Sequence, residues 1–223
     1  MIRGGYIAWI DADDFIELNY IENMVRHLKE YDADMAIDFY GSTNENVDKV
    51  FTSKDNEILK EYMLMNLSNM LWPTLTKSDL YVGEEFRDFV IGEDNDMLCR
   101  IYEKCKKIVR FQSKGYHYRI IEGSVVHSSS ADKYNKWLDA SLVQIEYLEN
   151  KYQDLIPVCA FQRVYIASLI QHSSTKLLGD DKKRLNRRLK TIIRKAILKV
   201  PLLSLNRGQI KEIVSALLFI IGC

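Results

Sequence analysis

The sequence predicts an α/β fold for the first part of the chain and an all-helical remainder. Three observations carry this. Short apolar runs alternate with helix-period segments over residues 1–130. No strand-like run occurs after Tyr134. Between the two parts lies VHSSSADK, 126–133, a small polar stretch of linker composition. With 223 residues, there is room for one large domain or a domain with an appendage.

Each element follows from its local pattern. Tyr6–Ile10 is continuous, β-branched and aromatic, which predicts a buried strand. Ile21, Met24, Val25 and Leu28 recur at i, i+3, i+4 and i+7, one face of a helix. Ala33–Tyr40 predicts a second apolar strand. Residues 41–54 are polar and rich in Ser, Thr and Asn, which predicts an exposed loop or irregular hairpin. Glu57–Met70 has a helical pattern that Pro73 and the following threonines break. A further helix is expected from Asn95 to Lys106, with Met97, Leu98, Ile101, Tyr102 and Cys105 on one side. Ile108–Phe111 and Gly115–Ile121 read as strands, and Glu122-Gly123-Ser124 turns away. Beyond Tyr134, helices are expected at 137–152, 157–178, 180–199 and 207–221, with Pro157, Gly179 and Pro201 at the joints. The predicted organisation is an α/β domain at 1–130 and a helical region at 131–223.

Composition narrows the function classes. An apolar share of 47% with 28% charged residues is that of a folded protein, which excludes wholesale disorder. A formal net charge of zero supplies no overall field for nucleic acid, so no nucleic-acid partner is expected. The balance hides an asymmetry: residues 176–199 hold ten Lys/Arg against two Asp. Leu177, Leu185, Leu189, Ile192, Ile193, Ala196 and Ile197 lie among them. That pattern suits an interfacial amphipathic helix on an anionic membrane surface; the alternative is a solvated helix packed by its apolar stripe. Cys99, Cys105, Cys159 and Cys223 have no CxxC spacing, which points to free thiols in a reducing compartment. The first residues lack signal-peptide features. The longest apolar run, near 213–223, is about half the ~20 residues of a membrane span. A cytoplasmic protein, peripheral on the inner face of the membrane, is the expectation.

Two acidic clusters stand where apolar segments meet helices: Asp11, Asp13 and Asp14, and Glu93 with Asp94. In open α/β sheets, ligands bind at the carboxyl ends of strands. Three carboxylates within four residues repel one another unless a cation or donors compensate. Mg²⁺ or Mn²⁺ suits an all-oxygen ligand set. The competing explanation is that the acids only favour the starts of helices. An EF-hand loop beginning at Asp11 puts Glu22 correctly at its last position, but Phe15 and Ile16 stand where a ligand and a glycine are needed. A haloacid-dehalogenase-type phosphatase also begins on a strand ending in Asp-x-Asp, and DADDFIE resembles it poorly.

Four segments in order carry a fuller resemblance. GGYIAWIDADDFIELNYIENM, NMLWPTLTKSDLY, FVIGEDNDMLCRIYEKCKKIVRF and GYHYRIIEGSV resemble successive blocks of family 2 glycosyltransferases of GT-A fold. The resemblance implies the C-terminal part of a GT-A-type mixed sheet with flanking helices. It implies sugar transfer from a nucleotide-diphosphate sugar donor to a saccharide or lipid-linked acceptor in surface polysaccharide synthesis, with inversion and with Mn²⁺ or Mg²⁺. Asp11 then matches the aspartate near ribose and metal, Asp13 the metal ligand bridging to the diphosphate, and Asp14 the next acid. Asp94 matches the general base, with Glu93 beside it. Trp72 falls in the acceptor-side stretch, and Tyr118 with Arg119 matches the Tyr-Arg pair beyond the base. His127 is a candidate distal metal ligand. The chemistry is consistent: a divalent ion stabilises charge on a leaving diphosphate, and a carboxylate takes the acceptor proton. Where the family has a lysine after its tryptophan, this chain reads Trp72-Pro73-Thr74-Leu75.

The resemblance begins in mid-domain. No "IIPVYN"-type or "VDDGS"-type strand precedes Met1. The expectation is a truncated family member lacking the N-terminal nucleotide-binding part; the alternative is a non-catalytic, membrane-peripheral or interaction remnant of such an enzyme.

Overall fold

The computed structural model describes residues 4–39, 48–89, 91–119 and 130–222. Its contacts divide the chain into two compact units, 1–87 with 94–121, and 88–93 with 122–223. Half of the expected linker at 126–133, including His127, lies outside the described residues, as does the end of the strand expected at 115–121.

The first unit contains, in chain order, β1 (Tyr6–Ala8), β2 (Phe15–Ile16), α1 (Tyr20–Glu30), β3 (Met35–Asp38), β4 (Lys49–Thr52), α2 (Glu57–Met63), β5 (Thr74–Lys77), α3 (Glu93–Lys104, from Asp94 onward), β6 (Lys107–Phe111) and β7 (Tyr116–His117). Five strands form one mixed sheet in the order β1-β5-β3-β6-β4, and β2 pairs with β7 in a separate ribbon. Both β1 and β3 run antiparallel to β5, and β3 runs parallel to β6. The carboxyl ends of β1, β3 and β6 therefore share one rim with the start of β5.

Register explains the core. Ala8, Leu75, Ala36, Val109 and Val50 are successive partners across the sheet and so project from one face. Helix α1 buries Tyr20, Met24 and Leu28, at i, i+4 and i+8, in one cluster with Leu75, Ala36 and Val109. Each large side chain buried in this way contributes roughly 1.5–3 kcal/mol.

Three local expectations need correction. The strand expected at Tyr6–Ile10 stops at Ala8 and is not buried: Tyr6 and Ala8 are exposed, and Ile10 is 46% exposed. Its position is the reason, since β5 is its single paired neighbour among the described residues. Within the polar stretch 41–54, Lys49–Thr52 is a strand that pairs with β6 and buries Phe51. The helix expected over 57–70 ends at Met63, and Met65 has a left-handed backbone with φ 61°. Nor does Pro73 merely break structure. Its carbonyl accepts the Asp38 N–H at 2.9 Å, and β5 begins at the next residue.

The second unit is helical, with α4 (Ala131–Lys151), α5 (Ile156–Ser173), α6 (Gly179–Ala196) and α7 (Arg207–Ile221). Helix α4 starts earlier than its apolar pattern because Ser130 caps it, accepting the Lys133 N–H. Helix α5 carries buried residues on all sides, Val158 to Ile170, and is the central element. On α6, Leu185, Leu189, Ile193 and Ala196 are buried. The packed alternative is thus the one observed for this basic helix. Asn206 and Gln209 form a reciprocal capping box at the start of α7. Among the described residues, no helix is long and apolar enough to cross a membrane.

Candidate active site

The chain leaves β1 at the carboxyl rim and turns at once. The Asp14 N–H donates to the Asp11 carbonyl at 3.1 Å, closing a turn that gathers three carboxylates. Asp11, Asp13 and Asp14 can each direct one oxygen to within 4.8 Å of the others. Asp11 and Asp13 are exposed and Asp14 is half-buried.

Residues a hundred positions away hold this turn. The ribbon pairs Phe15 with His117 and Ile16 with Tyr116. Phe15 stacks on the His117 ring at 4.4 Å, and the imidazole Nε2 lies 2.7 Å from a Glu17 carboxylate oxygen. The Tyr116 hydroxyl accepts the Asp11 N–H at 3.1 Å and donates to Asp14 Oδ2 at 2.8 Å. The Arg119 N–H donates to Asp14 Oδ1 at 2.8 Å, and its side-chain Nε–H donates to the Asp13 carbonyl. Both Asp14 oxygens are therefore used internally. The Asp11 and Asp13 carboxylates have no protein hydrogen bond among the described residues.

The electrostatics follow. Partial burial raises the Asp11 carboxyl above the ordinary aspartate range, and the charges of Asp14 and Asp13 add to the rise. Burial also raises the Tyr116 phenol, and the Asp14 carboxylate keeps its proton in place. A crowded set of oxygen donors, two of them unpartnered, fits a hard divalent cation. Asp11 and Asp13 are the residues that would hold it.

The second acidic cluster opens α3. Glu93 is exposed, whereas Asp94 is half-buried and its Oδ2 accepts the Leu71 N–H at 3.3 Å. Leu71 precedes Trp72, which is 5% exposed and packs on Tyr116 at 4.4 Å. Tyr118, 41% exposed, stacks 6.0 Å from Trp72. A path of direct contacts thus runs from Asp94 through Leu71 and Trp72 to Tyr116, Asp11 and Asp14. Trp72 offers little surface to a ligand and supports its neighbours instead, while Tyr118 presents its ring. Asp96, two residues past Asp94, is buried between Arg87 and Arg100 and anchors α3.

Sequence reasoning missed Tyr116, although it stands beside the Tyr118-Arg119 pair. Gly115 is the one usable signal. A Cβ there would lie 2.7 Å from the Tyr20 ring, so only glycine lets this strand approach α1. The loop before it is fixed by buried Asp38, whose carboxylate accepts the Ser113 N–H at 2.7 Å and its hydroxyl at 2.6 Å.

"Glycosyltransferase GlyA" of Streptococcus pneumoniae serotype 4 is 25% identical over 169 residues, 67% of this chain and 24% of that protein. The chain therefore spans about a quarter of the length of the curated relative it matches. Among solved structures, S. aureus TarS 1-349 superposes with a TM-score of 0.50 at 11% identity, covering 100% of this chain and 68% of that one. This shows a shared fold. Residues 1–82 match the profile described as "Glycosyl transferase family 2". That segment, which carries the Asp11–Asp14 turn, is similar to glycosyl transferase family 2.

Proposed function

We propose that this chain carries the metal- and acceptor-side part of a glycosyltransferase that moves a sugar, with inversion, from a nucleotide-diphosphate sugar to a saccharide or lipid-linked acceptor in surface polysaccharide synthesis. Residues 1–130 form its catalytic part and 131–223 a helical accessory region. One observation carries the reading: Asp11 and Asp13, whose carboxylates have no hydrogen-bond partner among the described residues, lie in a turn at the carboxyl rim that Tyr116 braces through the Asp11 N–H and Asp14, and Tyr116 is linked through Trp72 and Leu71 to Asp94.

Asp11 and Asp13 would hold Mn²⁺ or Mg²⁺, which when bound would supply Lewis-acid stabilisation to the leaving diphosphate. Asp14 keeps their turn in shape through Tyr116 and Arg119. Asp94 takes the proton of the attacking acceptor hydroxyl, with Glu93 as an exposed neighbour. Tyr118 offers a stacking face to the sugar. His127, outside the described residues, remains a candidate further ligand. Buried free thiols at Cys99, Cys105 and Cys159 suit a reducing cytoplasm. The apolar stripe of α6 is already packed, so attachment of 176–199 to the inner membrane face works by charge.

Calorimetric titration with uridine diphosphate tests the site. Binding is expected to require Mn²⁺, to be lost in Asp13→Ala and to survive in Asp94→Asn. Equal binding in a chelator, or unchanged binding by Asp13→Ala, overturns the reading.

A further inference from the structure

In the second unit, a groove of about 520 Å³ opens between α6 and the end of α7, with Gln171 of α5 on its wall. Lys183, Arg187, Lys190 and Arg194 line it at i, i+4, i+7 and i+11, a single stripe of α6. No carboxylate lines it among the described residues. Other cations of this helix are paired on other sides: Arg184 with Asp181 at 2.6 Å, and Arg188 with Asp139. Within the groove, Lys183 reaches exposed Asp180 only at 3.5 Å, and neither Arg187 nor Arg194 pairs with a carboxylate among the described residues. The Lys190 ammonium sits 5.0 Å from the centre of the Phe219 ring. Asn186 also lines the groove, and its buried Oδ1 has no hydrogen-bond partner.

We infer that this groove binds a row of phosphate groups. Arginine forks match phosphate oxygens in shape as well as charge. The stripe runs about 16 Å along the helix, longer than one phosphate and suited to several in sequence. The orphaned Asn186 acceptor calls for a donor beside them, which a ligand hydroxyl or a bound water supplies. The inference does not rest on the transferase reading, because it concerns the helical unit alone. It sharpens the surface-attachment reading by assigning the anion to one groove rather than to diffuse charge.

The test uses the full chain with two probes, soluble tripolyphosphate and vesicles of phosphatidylcholine with or without phosphatidylglycerol. Arg187→Glu/Arg194→Glu is compared with Arg184→Glu/Lys211→Glu, which changes the net charge equally outside the groove. Circular dichroism verifies that both variants fold. The groove pair is expected to weaken binding at least about tenfold, the control pair no more than about twofold. Tripolyphosphate binding with that pattern assigns a soluble ligand, and binding to anionic vesicles alone assigns lipid headgroups. Equal weakening by both pairs overturns the groove and leaves diffuse attachment standing. Failure of the unmodified chain to bind either probe at low salt overturns both.

Discussion

The two rims of the first unit's sheet treat aspartates in opposite ways. At the rim where β3 and β6 begin, Asp34 is fully engaged. Its carboxylate accepts the Lys77 ammonium at 2.8 Å and the N–H groups of Lys106 and Lys107 at 2.7 and 3.2 Å. Burial pushes its pKa up, but those three donors outweigh burial and hold the carboxyl below the ordinary range. At the opposite rim, Asp11 is left above the ordinary range by burial and by the charges of Asp14 and Asp13. One rim is built for stability. The other leaves the Asp11 and Asp13 carboxylates without a hydrogen-bond partner among the described residues, which is what the proposed cation site requires.

The largest expected effect separates chemistry from structure. Asp94→Asn keeps the Leu71 hydrogen bond, because the amide oxygen still accepts, but removes the proposed base. Turnover by the protein with a panel of UDP-sugars should fall by about 10²–10⁴-fold, while Mn²⁺-dependent uridine diphosphate binding stays unchanged. Activity within a few-fold of the parent would move the base elsewhere. Next comes Tyr116→Phe, which keeps the ring on Trp72 and deletes the hydroxyl joining Asp11 to Asp14. Mn²⁺ affinity, followed by electron paramagnetic resonance, should weaken roughly 10- to 100-fold. If Tyr116 only packs, affinity holds and the melting temperature alone moves.

These two predictions also mark what was legible in the sequence. Asp11, Asp13 and Asp14 could be found because their chemistry is local, three acids after an apolar run. Tyr116 could not, because its role depends on contacts with residues 102 and 105 positions earlier. The mixed α/β character was legible from periodicity, and the α7 helix at 207–221 matches its expected limits. The exposure of β1 was not, since an apolar run reads alike at an edge and in a centre. Strand β5 was hidden by Pro73, whose missing N–H is irrelevant where its carbonyl does the bonding. On α6, the apolar stripe was legible but its destination was not. Amphipathicity does not distinguish packing on protein from packing on lipid.

Asp34→Ala probes the opposite rim. Removing the carboxylate strips partners from one ammonium and two backbone N–H groups, so urea unfolding should record a loss of roughly 1.5–3 kcal/mol. Mn²⁺ affinity at the Asp11–Asp13 turn should not change. A matching loss of metal affinity would mean that the two rims are one cooperative device.

The smallest effect is the most specific, because it reads the sign of the Asp34 shift. Its folded-state pKa lies below the unfolded value, near 3.8. The folded chain therefore releases this proton more readily than the unfolded chain, and the carboxylate contributes stability at all pH values above the unfolded pKa. As pH falls through the folded pKa, both states bind the proton and that contribution vanishes. The stability gap between the parent chain and Asp34→Ala should thus be constant from neutral pH down to about pH 5 and shrink below pH 4. A carboxyl raised by burial would give the reverse trend, with the gap widening in acid. Urea midpoints of the two chains at matched pH values distinguish these cases. A widening gap would mean that burial outweighs the Lys77 pair, and that the two rims do not differ in how they hold charge.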